Sequence, residues 1–451
     1  MKNTLIVSVS GIRGIVGQGL NTNVVERFTQ TFLSLQRGKK LVVGTDTRPT
    51  RDMIKASVIS AATSMGWDVI DIGIVPTPTL LFAVKNGLGD AGIAITASHN
   101  PVEWNALKLV NSKGEFPSPE ETKDIPIQYE SHKPVCFTWE NIGKVHTYDK
   151  AVEDHIRAVL SLLPTDKIQR KKFKVVADCA GGASINAWKV LLEKLNCDVR
   201  WVHSKIENNF PRPIEPIPKH ISHLSEIVKQ HNADIGFATD ADGDRLAIVT
   251  ENGEIPGEEY TVALASHYVL SHSSGPVVIN LSTSRLTEDV AERFQAQVFR
   301  SPVGEANVVK LMKEKKAIIG GEGNGGVIYP PLHYTRDSLI AIGLILSLLT
   351  EEDKPVSEII SLYPKYHIIK GKININEDTQ KNLTTIDSMF PAGKINTDDG
   401  IRIDTKNFWV HIRKSGTEPI IRLIVEANSP SLANKVYKEV KHYLEEETCV
   451  G

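Results

Sequence analysis

The chain reads as an α/β protein: three related mixed α/β domains with mostly parallel sheets, followed by a smaller C-terminal α+β domain. Three observations predict this. One order of short apolar strands and helix-length segments occurs three times in succession, which is the pattern of parallel strands joined by crossover helices. In each repeat the third strand runs into a polar loop rich in Gly or Asn. After Tyr366 the pattern changes to several strands and then one helix, the mark of a small α+β unit.

The first repeat reads as strand LVVGTD from Leu41, a helix from Thr50, strand DVIDIG from Asp68, a proline-started helix near Pro78 and strand AGIAIT from Ala91. The second runs KVVADC from Lys174, a helix to about Leu195, CDVRWV from Cys197, a helix near Ile221 and DIGFAT from Asp234. The third runs GPVVINL from Gly275, a helix near Thr287, QVFRSP from Gln297, a helix from Glu305 and AIIGG from Ala317. KGKINI, GIRID, FWVHIR and IIRLIVEA then read as strands, closed by a helix from Ser431 to Glu446. The polar, proline-containing stretches 131–141 and 351–364 are candidate linkers or hairpin excursions. Expected boundaries are 1–148, 149–250, 251–365 and 366–451.

Composition narrows the function class. At 451 residues the chain exceeds one core. Its 52 basic against 54 acidic residues give a net charge of -2, which is no footprint for nucleic acid or an anionic membrane. An anionic substrate therefore needs a local cluster of cations. The apolar run 338–348 is too short to span a bilayer, and the first residues lack the apolar run of a signal peptide. Cys136, Cys179, Cys197 and Cys449 have no metal-like spacing and fit a reducing compartment. A cytoplasmic protein is expected; no feature sets an oligomeric state.

In open α/β sheets ligands bind at the carboxyl ends of strands, so three equivalent loops can converge on one cleft. TDADGDR sets Asp240, Asp242 and Asp244 close together, where they repel unless a hard cation neutralises them; the alternative is a solvated acidic turn. An EF-hand is excluded because Arg245 stands where its turn needs Gly. Three carboxylates leave Mg²⁺ open positions for phosphate oxygens, and the Arg245 guanidinium fork suits such oxygens.

TASHNP places Ser98 in a turn, either as a phosphoryl carrier or as a turn whose side chains bond the backbone. No Gly-x-Ser-x-Gly elbow surrounds it. Lys108 neutralises charge, or moves a proton if its pKa is lowered. RKSGTEP, with Arg422 beyond it, has the donors of an anion site or of a charged hairpin turn. In GEGNGG, Glu322 has the chemistry to accept hydrogen bonds from a diol, the alternative being a plain Gly-rich turn; no Walker loop is present.

The set TASHNP, DADGDR, GExxGG and RKSGTEP, in this order, resembles the α-D-phosphohexomutase superfamily over essentially the whole chain. The opening VSGIRG resembles the family's N-terminal segment, which implicates Arg13. The resemblance implies a phosphoserine at Ser98 beside His99, and Mg²⁺ held by Asp240, Asp242, Asp244 and the serine phosphate. Glu322 and Asn324 would face sugar hydroxyls. Arg413, Ser415, Gly416, Thr417 and Arg422 would grip the distal phosphate. Lys108 matches the proton-transfer lysine of an NPxxxNGxK pattern, with Ala106 at its usual Gly.

The sugar loop departs from many members, which have Ser where Asn324 stands and His where Gly326 stands. His333 is then the candidate substitute for the second acid/base group. The implied activity interconverts hexose 6-phosphate and hexose 1-phosphate through a hexose bisphosphate, with glucosamine phosphate as leading substrate. Glucose or mannose phosphate is the same-class alternative. A phosphatase or a non-transferring phosphosugar-binding protein is the alternative from another class.

Overall fold

The computed structural model describes residues 4–8, 11–131, 133, 135–207, 209–375, 379, 382–383, 385–414 and 420–445. The three repeats form three sheets with one shared strand order. In the first, strand Trp104–Val110 lies antiparallel to Ala91–Ile95, which is followed by the parallel strands Lys40–Thr45 and Asp68–Ile74. The second repeats this as Leu246–Thr250, Ile235–Thr239, Lys174–Asp178 and Asp198–Val202. The third repeats it as Gly326–Ile328, Ile319–Glu322, Val277–Asn280 and Val298–Ser301. Each of the three polar loops is therefore the hairpin between the third strand and its antiparallel neighbour.

The expected crossover helices appear as Arg51–Ser64, Thr77–Lys85, Ser184–Lys194, Leu224–Gln230, Leu286–Arg293 and Glu305–Lys315. The first sheet is extended by Gly11–Ile15, which lies antiparallel to Trp104–Val110 and pairs Arg13 with Ala106. Helix Thr22–Ser34, which the sequence pattern did not reveal, begins at Asn21, whose side chain caps the Val24 N–H at 3.0 Å.

Neither linker candidate is a free tether. Residues 135–141 lie against the first crossover helix, with the Phe137 N–H donating to the Ser64 carbonyl at 2.8 Å. Stretch 351–364 contains the end of helix Ser338–Glu352 and the short helix Val356–Ile360.

Burial explains the long apolar helix. Ser338–Glu352 is apolar on nearly every side because it is buried on nearly every side. It belongs to one core that runs from Val42 and Leu80 through Trp188 and Leu191 to Ile345. Three units thus share a core. Residues after Tyr366 form an antiparallel sheet in the order His367–Asn374, Ile420–Ala427, Phe408–Lys414, Ile401–Asp404 and Lys394–Asn396, covered by helix Pro430–Glu445. Its core, with Val410, Ile412, Leu423, Val436 and Val440, is separate.

Trp188 is fully buried and its indole N–H donates to Ser338 Oγ at 3.2 Å, joining the second and third units. Trp188→Ala is expected to remove about 3–5 kcal/mol of stability, read from the midpoint of urea unfolding. A loss under about 1 kcal/mol would place the shared core elsewhere.

Candidate active site

Ser98 sits at the tip of the first hairpin with φ +49°, in the left-handed region that a residue with a side chain seldom adopts. The strain is held by Arg48. This fully buried guanidinium donates to the carbonyls of Ser98 and Asn100 at 2.7 Å, of Pro101 at 2.5 Å and of Trp104 at 3.1 Å. Asp46 anchors Arg48 at 3.0 Å and accepts the Thr96 hydroxyl at 2.7 Å. With its backbone locked, Ser98 donates its hydroxyl to Asp240 Oδ2 at 2.9 Å.

Asp240, Asp242 and Asp244 are all buried, and one oxygen from each lies within 4.8 Å of the others. Gly243 permits this crowding with φ +71°, and a Cβ there would collide with the Ser184 hydroxyl. Thr77 of the first unit donates to Asp242 Oδ2 at 2.7 Å. Burial, and then Asp244 and Asp242, push the Asp240 carboxyl well above its usual range. Burial acts the same way on Asp242, but Lys108 outweighs it and holds that carboxyl low. Asp242 Oδ1 and Asp244 Oδ1 are buried with no hydrogen-bond partner among the described residues. Hard oxygen donors, close spacing and two unserved oxygens fit a divalent cation of the magnesium type.

Cations surround this floor. Lys108 Nζ lies 2.6 Å from Asp242 and 3.5 Å from Asp244. Burial lowers the Lys108 pKa, but the two carboxylates outweigh it and the net shift is upward. Lys108 is thus held as an ammonium beside the two carboxylates, which accords with the charge-neutralising alternative. Arg245 bonds Glu215 at 3.1 Å and His99 Nδ1 at 3.0 Å. Arg245 first, then burial and Arg13, depress His99 to about 2, so its imidazole is neutral and accepts at Nδ1.

Arg336 went unrecognised in the sequence. It reaches Asp244 at 2.7 Å, Glu322 at 2.8 Å and Glu305 at 2.9 Å, tying the acidic loop to the GEGNGG loop. Its only sequence signal was a charged TRD run just before an apolar helix. It also accounts for Gly326, because a Cβ on that residue would collide with the Arg336 stem. Arg336 thus occupies the space a side chain at 326 would need. His333 does not stand in as an acid/base group: it is fully buried, bonded to Asp337 at 2.9 Å and absent from the cleft lining.

Above the floor opens a cleft of about 560 Å³. Arg13, Ser98, His99 and Lys108 line it from the first unit, and Arg245 from the second. Glu322 and Asn324 line it from the third, and Arg413 and Arg422 from the C-terminal sheet. Glu322 is buried, yet Arg336 and Asn280 keep its carboxyl below the usual range. Asn324 bonds Glu322 at 3.3 Å. Arg413 and Arg422 are directly opposed across two strands, an unfavourable pairing of like charges that an anion relieves. Ser415, Gly416 and Thr417 lie outside the described residues.

The C-terminal sheet is held to the third unit by polar contacts. His411 accepts from the Ser282 hydroxyl and donates to the Asp399 carbonyl, at 2.9 and 2.8 Å. Arg285 reaches Asp404 at 3.2 Å. Among the described residues, the polar side-chain contacts of this sheet with other units run to the second half of the chain before it, none to the first unit.

Two outcomes are expected. Arg336→Lys, lacking the fork that serves three carboxylates, should weaken Mg²⁺ binding about 10–100-fold in calorimetric titration; unchanged binding would remove Arg336 from the loop's support. Burial depresses His411 from 6.5 to about 4. Below pH 6.5 the unfolded chain then takes up a proton that the folded chain refuses. Stability from this residue is present above pH 6.5 and falls by up to about 3 kcal/mol as the pH drops towards 4. The difference between wild-type and His411→Gln urea midpoints, measured across that window, should narrow or invert at the acid end.

Four family models match in chain order. Their descriptions are phosphoglucomutase/phosphomannomutase alpha/beta/alpha domains I, II and III and the C-terminal domain, and they cover residues 5–134, 153–253, 257–366 and 373–442. A phosphoglucomutase/phosphomannomutase of Thermococcus kodakarensis is 34% identical over 450 residues, 98% of each chain. A phosphoglucosamine/phosphogalactosamine mutase of Sulfurisphaera tokodaii is 30% identical over 453 residues, covering 98% of this chain and 99% of its own. The crystal structure of a phosphoglucomutase/phosphomannomutase family protein from Burkholderia thailandensis shares the fold with a TM-score of 0.84, at 23% identity and 98% coverage of both chains. Matched along nearly its whole length, and with three polar loops and Arg413 and Arg422 around one cleft, this chain belongs to the phosphoglucomutase/phosphomannomutase family.

Proposed function

We propose that the protein is a phosphohexomutase that interconverts a hexose 6-phosphate and a hexose 1-phosphate through a phosphorylated Ser98. The observation that carries this reading is the Ser98 hydroxyl, held in a strained turn at 2.9 Å from a buried three-carboxylate cluster, beneath a cleft lined by arginines of several units. A sugar phosphate in this cleft has arginines from the first, second and C-terminal units to meet its phosphate groups.

In the proposed reaction, Arg413 and Arg422, with Ser415, Gly416 and Thr417, hold the phosphate already on the sugar. Glu322 and Asn324 orient its hydroxyls. The free hydroxyl oxygen forms a bond to the phosphorus on Ser98 as the bond from phosphorus to Ser98 Oγ breaks. The proton moves in the opposite sense: the Lys108 ammonium protonates the departing Ser98 Oγ, and the sugar hydroxyl proton restores the ammonium. Arg245 and Arg13 stabilise charge on the transferring group. His99, neutral, keeps Arg245 aimed. Mg²⁺, held by Asp240, Asp242, Asp244 and the serine phosphate, would supply electrostatic stabilisation of the phosphoryl oxygens. The bisphosphate then turns end for end and returns its other phosphate to Ser98.

The turnover of the intermediate calls for a C-terminal unit that moves, and the separate core of that unit supports this. The leading substrate is glucosamine 6-phosphate, converted to the 1-phosphate. The name of the S. tokodaii relative supports an aminosugar, while that of the T. kodakarensis relative supports glucose or mannose phosphate. A cytoplasmic site of action goes with this reading, as do the free thiols of Cys136, Cys179 and Cys197.

The test is intact-mass measurement of the purified protein followed by turnover of glucosamine, glucose and mannose phosphates with Mg²⁺ and a trace of hexose bisphosphate. One added phosphoryl group, lost with all turnover in Ser98→Ala, is expected, with glucosamine phosphate preferred. Arg413→Ala should raise KM while leaving phosphorylation of Ser98 by bisphosphate partly intact. No turnover of any primed substrate would leave a phosphosugar-binding protein as the better reading.

A further inference from the structure

The carboxyl ends of the second sheet's strands hold another cluster of donors, which the reaction does not use. Asp178 ends strand Lys174–Asp178 and is fully buried. His203 follows strand Asp198–Val202 with φ +45°, and His223 precedes helix Leu224–Gln230. His203 Nδ1 lies 3.2 Å from Asp178 Oδ1, and His223 Nε2 lies 3.2 Å from Asp178 Oδ2. One donor atom from each of the three lies within 4.8 Å of the others. The imidazole side chains are 26% and 35% exposed, so the cluster opens to solvent on one side.

Asp178 does not need both imidazoles to satisfy its charge. Arg212 Nε donates to Oδ2 at 2.8 Å and the Ala180 N–H donates to Oδ1 at 2.8 Å. His223 Nε2, though buried at the atom, makes no hydrogen bond among the described residues. Both imidazoles face the one carboxylate and help to hold it ionised, and two imidazole nitrogens beside an ionised carboxylate are placed as metal ligands are placed. Arg212 and Ala180 meanwhile play the part of outer partners that orient a ligating carboxylate.

We propose that Asp178, His203 and His223 form a second metal site, for a transition-metal dication of the zinc class, distinct from the Asp240 cluster. Tetrahedral bonds of about 2.0–2.2 Å set neighbouring ligand atoms roughly 3.3 Å apart; each imidazole nitrogen lies 3.2 Å from the Asp178 carboxylate, His203 from Oδ1 and His223 from Oδ2. Three protein ligands leave a fourth position to water, on the open side. Two imidazole nitrogens select zinc, nickel or copper over magnesium, which takes oxygen donors, so Mg²⁺ at the acidic loop does not compete here. Occupancy joins three separate segments of the second unit. Arg212 carries the effect onward, because it also donates to the carbonyl of Thr239 at 2.8 Å, one residue before Asp240.

The test loads the full-length protein with Zn²⁺ in a large excess of Mg²⁺, dialyses it and measures bound zinc by elemental mass spectrometry. Wild type and Asp240→Asn should each retain one equivalent, and His203→Ala/His223→Ala should retain none while keeping the wild-type circular dichroism spectrum. Zn²⁺ should raise the Tm of wild type and leave that of the double variant unchanged, and Co²⁺ should give the visible absorption of a tetrahedral site only where His203 and His223 are present. His223→Gln, a milder change for use if the double variant does not fold, should weaken Zn²⁺ binding at least tenfold. Equal zinc retention in wild type and the histidine variants would overturn the proposal. So would retention that disappears in Asp240→Asn, which would assign the zinc to the acidic loop.

Discussion

Three carboxylates crowded into one buried loop are the constraint around which the rest of this molecule is arranged. At an effective dielectric of about 20, two unit charges 4 Å apart repel by about 4 kcal/mol, and burial adds a desolvation penalty for each. The chain offsets this with Lys108 from the first unit, Arg245 from the loop itself and Arg336 from the third. These compensating charges come from three different units, so the acidic loop can be buried only when those units are assembled. The shared hydrophobic core and the shared electrostatics thus demand the same arrangement.

The serine loop follows from a second buried charge. Arg48 spends its guanidinium on backbone carbonyls of the turn, which fixes a conformation that the side chain of Ser98 disfavours. Such strain persists only where the surroundings over-determine it. The result is a fixed position for the Ser98 Cβ, from which the hydroxyl donates to Asp240. Phe210 lies under Arg48, its ring centroid 5.1 Å from the guanidinium carbon, so the second unit also bears on this turn.

The C-terminal sheet obeys different physics. It has its own core and docks through hydrogen bonds and ion pairs such as Ser282–His411 and Arg285–Asp404. Polar docking of a self-sufficient unit is the construction expected of parts that change their relative position. Arg413 and Arg422 ride on it, so these two cations of the cleft lining belong to the separately packed unit, while Ser98 and the acidic loop belong to the shared body.

Much of this was legible in residue order. Periodic apolar strands and their polar exits revealed the threefold repeat, because a strand buried on both faces must be apolar and a loop at its end need not be. TASHNP, DADGDR and GEGNGG were legible for the same reason: their polar groups are contiguous, so the chemistry can be read from neighbours. Arg48, Thr77, Glu305 and Arg336 were not, since each acts on partners far away in the chain and looks locally like any charged or hydroxyl residue beside a helix. Nor does sequence order say that Lys108 is held charged, that His99 is neutral or that His333 is sealed in the core. Those states depend on burial and on which charges face one another, and both arise only when distant segments meet.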